Sequence, residues 1–237
     1  MILEINNLSK TYGNKKILDN INLKLKEGEI ISVIGASGSG KSTLLNILTG
    51  ITNKDSGKIN INGEISYMLQ SDALIESYKN IDNALIGLKV KKKLTNKKIN
   101  EAKKYFIKYN LEDYIYKYPK DLSGGMRQRV ALIRTLMLNP KIVLLDEPLS
   151  KIDYNTKLNI ENDIVNELKK NKKSGIIVTH DIEEAVSMSH KIYLLRNGKF
   201  LKSYTINRDW DTPSNARLKE NFRIYVNKIL RNMKYED

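Results

Sequence analysis

The sequence predicts an α/β fold: a largely parallel sheet covered by helices, with an antiparallel β edge subdomain near the N-terminus and an inserted α-helical subdomain. Three observations carry this reading. Short apolar segments rich in β-branched residues recur at 2–8, 30–34, 64–69, 142–146, 175–179 and 191–195, and each reads as a strand. Apolar residues spaced three and four apart mark helices at 43–48, 126–138, 155–168 and 182–188, between the later strands. Strand alternating with helix is the pattern of a parallel sheet with both faces buried. Between residues 71 and 122 the strands disappear, Lys and Tyr dominate, and 80–88 and 96–111 read as helices of the inserted lobe.

The remaining elements follow from local signals. Tyr12-Gly13-Asn14 and Asn62-Gly63 are turn sequences, and they predict hairpins and an antiparallel edge in the first 63 residues. From Ser203 onward runs a tail holding the single tryptophan, Trp210, and then a helix at 217–233. Phe222, Tyr225, Val226, Ile229 and Leu230 share one face of that helix, a stripe that reads as packing.

Composition removes several function classes. The absence of cysteine excludes a disulfide scaffold, a thiolate zinc site and a cysteine nucleophile. Two histidines, His180 and His190, are too few for a His-rich metal centre, and His190 reads as structural or surface. No apolar run approaches the roughly 18–20 residues that cross a bilayer. The net charge of +14 is compatible with nucleic acid, an anionic membrane surface or a polyanionic ligand, and the abundance of Lys, Asn and Ile also fits plain compositional bias.

Two segments carry phosphate chemistry. Gly35-Ala36-Ser37-Gly38-Ser39-Gly40-Lys41-Ser42 fits G-x-x-x-x-G-K-[ST] and lies between an apolar strand and a helical segment that starts at Thr43. Its glycines let the backbone curl so that N–H groups converge on phosphate oxygens at a helix N-terminus. Gly35, Ser37, Gly38, Ser39, Gly40, Lys41, Ser42 and Thr43 are thereby assigned to a nucleotide, with Lys41 on the β- and γ-phosphates and the Ser42 hydroxyl on Mg²⁺. Strand 142–146 ends in Asp146, whose carboxylate reaches the Mg²⁺ shell, and Glu147 follows as a general base for water.

Leu122-Ser123-Gly124-Gly125-Met126-Arg127-Gln128-Arg129 places two glycines and a serine before the helix at 126–138, a second anion-binding terminus in one chain. This stretch resembles the LSGGQ signature of ATP-binding cassette (ABC) ATPases, with Met126 where Gln is commonest. With the other motifs in order, the resemblance covers nearly the whole chain. It implies a P-loop NTPase (RecA-like) core that takes ATP and Mg²⁺. By resemblance, Tyr12 is similar to the aromatic stacked on adenine, Gln70 to the Q-loop glutamine at Mg²⁺ and water, and His180 to the switch histidine at the γ-phosphate. Residues 150–153 look like the D-loop, with Asp153 at its end and Lys151 where a small residue is usual. The implied catalytic set is Glu147, His180 and Gln70, and the implied metal set is Ser42, Gln70 and Asp146.

The resemblance implies one ABC ATPase domain over 1–237. In it 1–70 and 138–202 form the catalytic core with its antiparallel β subdomain, 71–137 the helical subdomain with the signature, and 203–237 a helical tail. It also implies a head-to-tail dimer in which Ser123, Gly124 and Gly125 of one subunit close on phosphates held by Gly40 and Lys41 of the other. Residues 122–132 and 221–226 look most like ATPases of the nitrate/sulfonate/taurine import group, which includes transporters of thiamine precursors. The partners implied are a second ABC ATPase subunit, transmembrane permease subunits and an extracytoplasmic substrate-binding protein, with the chain peripheral on the cytoplasmic face of the cell membrane. The alternatives are an exporter or lipoprotein-release ATPase, and a soluble ABC ATPase acting on nucleic acid or the ribosome. The relatives of the last kind carry two cassettes or a long coiled coil before the signature, features missing from this sequence, so specific nucleic-acid binding is not expected.

Overall fold

In the computed structural model, which describes residues 1–234, alternating apolar side chains start a three-stranded sheet. β1 (Leu3–Tyr12) turns at Gly13 and Asn14 into β2 (Lys15–Leu25), the hairpin that the first turn signal predicts. Leu18, Ile21, Leu23 and Leu25 of β2 point inward while Asn20, Asn22 and Lys24 between them stay out. β3 (Ile30–Ile34) is buried throughout, and α1 (Lys41–Leu48) follows it. β4 (Ser56–Ile61) then returns to pair with the other edge of β1, giving the antiparallel order β2-β1-β4.

The chain next crosses to a second sheet. Asn62-Gly63 joins β4 to β5 (Ile65–Met68), which belong to different sheets, so this turn is not the predicted hairpin. Gly63 has φ 147° and a side chain there would strike Lys141, which makes it a tight crossing and not a strand reversal. Next come α2 (Asn80–Val90), α3 (Asn96–Lys108), α4 (Gly124–Met137), β6 (Ile142–Asp146) and α5 (Tyr154–Lys170). β7 (Ser174–Thr179), α6 (Ile182–Met188), β8 (Lys191–Arg196), β9 (Lys199–Thr205), α7 (Pro213–Ala216) and α8 (Glu220–Lys234) complete the order. The six-stranded sheet runs β5-β6-β7-β3-β8-β9, all pairings parallel except β8 with β9. Asn197-Gly198, both with positive φ, closes the β8–β9 hairpin.

Both faces of the larger sheet are buried, as parallel strands require. Ile142 and Leu144 of β6 face the first sheet and Leu44 and Leu45 of α1, whereas Val143 and Leu145 face α4 and α5. The predicted helix at 96–111 ends earlier, at Lys108, because Asn110 turns left-handed with φ 53°. Lysines and tyrosines of the inserted lobe pair with each other: the Lys117 ammonium lies 4.5 Å from the Tyr114 ring, and Lys103 of α3 lies 5.6 Å from Tyr116. The tail stripe packs against α6, with Phe222 and Ile229 buried, Tyr225 and Val226 against them, and Leu230 more exposed. Trp210 is buried edge-on to Phe222 and donates its indole N–H to the Ser187 carbonyl at 3.2 Å.

A buried ionic cluster ties α5 to α6. Lys157 reaches Asp181 at 2.5 Å and Glu184 at 3.0 Å. Burial pushes the Glu184 carboxyl up to about 7 despite Lys157, and its Oε1 has no hydrogen-bond partner. A carboxyl raised in the folded state favours folding while protonated, so its contribution fades as pH climbs from about 4.5 to about 7. Glu184→Gln should therefore raise the melting temperature by about 4–8 °C at pH 8.5 and by under about 3 °C at pH 5, read by calorimetry. An equal shift at both pH values would refute the buried-charge account.

Candidate active site

The site grows from the end of β3. Residues 35–40 leave that strand and curl back under α1, and two of the glycines are obligatory. A Cβ on Gly35 would sit 2.2 Å from the Leu195 carbonyl oxygen of β8. Gly40 has φ 106°, and a Cβ there would meet the Ile17 carbonyl at 2.8 Å. Lys41 opens α1 at only 7% exposure, and its ammonium donates to the carbonyls of Gly35 (2.8 Å) and Ala36 (2.9 Å). Burial lowers its pKa, while the charges of Glu147 and Asp146 pull it back up. A cation held across its own loop by two neutral carbonyls is available to a stronger anionic partner.

Asp146 ends β6 at 2% exposure. Its Oδ2 accepts from the Tyr67 hydroxyl at 3.2 Å, and the Ser42 hydroxyl lies close enough to pull the carboxyl pKa down. Its Oδ1 is buried without a partner. Burial raises the Asp146 pKa and the Glu147 charge adds to this, against Ser42, Tyr67 and Lys41. An orphaned carboxylate oxygen beside a serine hydroxyl is a donor pair suited to a hard cation such as Mg²⁺. Among the described residues no three His, Cys, Asp or Glu cluster as a metal cage. The remaining ligands would have to be phosphate and water, as for an ion that arrives with a nucleotide.

Glu147 adopts φ 48°, left-handed for a residue with a side chain, at a cost of about 1–3 kcal/mol. Its N–H is pinned to the Val178 carbonyl of β7 at 2.8 Å. The turn delivers its carboxylate to His180, with Oε2 3.0 Å from Nδ1. His180 itself follows the last residue of β7 and precedes Asp181, which caps α6 through the Glu184 N–H.

A cleft of about 400 Å³ opens over this loop, lined by Tyr12, Ser37, Gly38, Lys41, Gln70 and Glu147, together with Gly40, Ser42 and Thr43. Most residues assigned to a nucleotide are thus neighbours. Tyr12 ends β1 half-exposed at the cleft edge, with the Lys10 ammonium 5.2 Å from its ring. Ser39 lies within the loop, its hydroxyl buried and unpaired. Ser123, Gly124, Gly125 and Asp153 do not line the cleft. Ser123 caps α4 by accepting the Met126 N–H at 3.3 Å, and Asp153 caps α5 by accepting from Thr156 at 3.0 Å. That bond from Thr156 holds the Asp153 carboxyl below its usual range. Lys151 is exposed, and its carbonyl lies 3.1 Å from where a Gly125 Cβ would be, so the signature turn abuts the loop at 150–153. His190 lies outside the cleft.

Three contacts escape sequence reasoning. Tyr67 supports Asp146 from β5. Gln128, buried within α4, donates to the Ser150 hydroxyl at 3.2 Å and accepts the Lys151 N–H at 3.1 Å, and Ser150 in turn donates to the Glu147 carbonyl at 3.2 Å. Arg127 grips Asp72 at 2.8 and 3.0 Å and Glu76 at 2.7 Å, fixing the segment beyond Gln70 to α4. The only signal for Gln128 is an amide in a stretch that is mostly apolar on the buried side.

With this geometry in view, comparison with known proteins is informative. The ABC transporter family matches residues 18–150. An uncharacterized ABC transporter ATP-binding protein, YtlC of Bacillus subtilis, is 38% identical over 96% of this chain and 94% of its own. A probable sulfate/thiosulfate import ATP-binding protein, CysA of Chlorella vulgaris, is 36% identical over 91% of this chain and 96% of its own. Among solved structures, the dimeric ATP-binding cassette MJ0796, bound to ADP and Pi in a post-hydrolysis state, superposes with a TM-score of 0.81. It is 28% identical over 87% of this chain and 99% of its own.

Gln128→Leu removes both bonds to the 150–151 loop and leaves the cleft lining untouched. Steady-state ATPase kinetics should show kcat down about 10-fold and KM for ATP within about 2-fold, since roughly 1.4 kcal/mol of positioning is lost. An unchanged kcat would show that the loop holds Glu147 without this amide.

Proposed function

The chain belongs to the ABC transporter ATP-binding family, and from that premise we propose that two copies clasp ATP head to tail and drive import of a small solute through a membrane permease. It is the ATP-hydrolysing subunit of a transporter. One observation carries the dimeric reading: the chain builds a phosphate cradle at 35–43 and a second anion-ready terminus at 123–125, and the second does not line the cleft of the first. The second terminus then meets its anion across an interface with another copy. The dimeric cassette to which the chain is similar supports this arrangement.

The chemistry follows from the residues in the cleft. The loop N–H groups and Lys41 neutralise the β- and γ-phosphates, and Tyr12 offers its ring to the base. Glu147 accepts the proton of a water as the water oxygen bonds to the γ-phosphorus and the bond to the β-phosphate oxygen breaks. His180 holds the Glu147 carboxylate through the 3.0 Å contact and orients it. Mg²⁺ would be held by Ser42 and Asp146, with Gln70 beside them, and would supply neutralisation of phosphate charge. Completion of the site by Ser123, Gly124 and Gly125 of the second copy makes closure depend on ATP and reopening on hydrolysis.

No helix of the described residues is long and apolar enough to cross a membrane. We place the chain peripherally on the cytoplasmic face, held by permease subunits, with an extracytoplasmic binding protein delivering the solute. The import direction rests on similarity to an import ATP-binding protein. The narrower nitrate/sulfonate/taurine reading rests on residues 122–132 and 221–226 alone.

Two measurements test the mechanism. Glu147→Gln should keep ATP binding while turnover falls by about 10²–10⁴, and with ATP its mass by light scattering should double. Near-normal turnover removes Glu147 as the base, and an unchanged mass removes the ATP-clasped dimer. Lys41→Ala should weaken a fluorescent ATP analogue by at least about 10-fold in a direct titration, and unchanged affinity would reject the cradle.

A further inference from the structure

A second cavity, of about 390 Å³, lies at the start of β3, the opposite end of the strand from the nucleotide loop, some ~16 Å away. None of its lining residues borders the cleft described above. Its floor is apolar: Ile30 from β3 and Val165 from α5 face Ile206 and Trp210 from the segment linking β9 to α7, and all four are buried. Its rim is cationic. Arg208 and the exposed Lys169 stand over the floor, with Asp211 the one acid among the residues that line it.

Arg208 is the distinctive group. Its Nε is buried without a hydrogen-bond partner, and its Nη1 reaches only the Met188 carbonyl, at 3.5 Å. The Asp211 charge acts on this guanidinium without a direct bond to it, so the unpaired Nε keeps capacity for a further acceptor, and the planar fork suits a carboxylate. His190 stands beside it. Its imidazole Nδ1 lies 3.0 Å from the Ile30 amide nitrogen and 3.3 Å from the Ile30 carbonyl oxygen, which fastens the ring to the start of β3. Burial and the Arg208 charge lower this histidine's pKa. The volume is near the lower end of ordinary ligand pockets, enough for a small molecule.

We propose that this cavity binds a small organic acid, its carboxylate on Arg208 and its apolar or aromatic body between Trp210 and Val165. The site goes beyond the transport ATPase reading and does not depend on it. A bound acid would fasten the 206–211 segment to β3 and α5 and stabilise the fold by linkage.

Trp210 is the only tryptophan, so intrinsic fluorescence reports the cavity directly. The full chain is titrated with 4-phenylbutyrate and with octanoate, each to about 10 mM, the range of weak sites. The expected result is a saturable change with both acids, no change with the uncharged 4-phenylbutyramide, and an unaltered affinity for a fluorescent ATP analogue. Arg208→Gln should weaken binding by at least about 10-fold and the surface change Lys169→Gln by about 2–5-fold, in line with loss of a charge-assisted bond. If Arg208→Gln fails to fold, Lys169→Gln decides the charge requirement. Absence of a saturable signal with either acid overturns the proposal. So does equal binding of the amide, unweakened binding in Lys169→Gln, or displacement of the nucleotide by the acid.

Discussion

The parallel register of β5, β6, β7 and β3 puts the ends of four strands on one edge of the sheet, and each end delivers one part of the site. From β3 comes the phosphate loop, from β6 Asp146 and Glu147, from β7 His180, and from β5 Gln70 two residues on. No long side chain has to search for its place, because the backbone ladder fixes the spacing before any side-chain contact forms. Open α/β sheets place ligands outside the carboxyl ends of their strands for this reason. What the ladder cannot supply is direction. The left-handed turn at Glu147 and the close approach of Gly35 to β8 aim the groups, and both are strained or crowded positions held by their neighbours.

Charge inside the cleft is balanced and not merely positive. Lys41 sits between two carboxylates and two carbonyls, and Asp146 keeps one oxygen unpaired. The net +14 that first suggests a polyanionic partner is distributed elsewhere. Several lysines of the inserted lobe lie over tyrosine rings, and others pair with Asp or Glu, as Lys108 does with Asp163 at 3.0 Å. Local composition there reflects a self-contained surface chemistry more than a footprint for nucleic acid.

The buried strands were readable because burial on both faces leaves a continuous apolar run: 30–34, 142–146 and 175–179 stand out on hydrophobicity alone. β2, β4 and β9 were not, and the physical cause is exposure. β4 and β9 are edge strands with mostly solvated side chains, and β2 interrupts its alternation at Asp19-Asn20. Asn62-Gly63 misled for a related reason, since a turn sequence specifies local φ but not which sheet the next strand joins. At the site, the loop at 35–42 was legible because its chemistry is local in sequence. Gln128 was hidden because its partners lie 22 and 23 residues away, and nothing local marks a glutamine that bonds across that distance.

Gln128 sits five residues into the helix that Ser123 caps, about 8 Å along its axis. The signature turn, the 150–153 loop and the backbone of Glu147 are therefore links of one chain of contacts, from Gly125 against Lys151 to Ser150 on the Glu147 carbonyl. A push on Ser123 from outside would pass along these contacts to Glu147, the residue proposed to activate water. In a pair of such subunits, each site would carry a mechanical report of its neighbour's occupancy. The two would then be expected to fire in a coordinated order instead of keeping independent time.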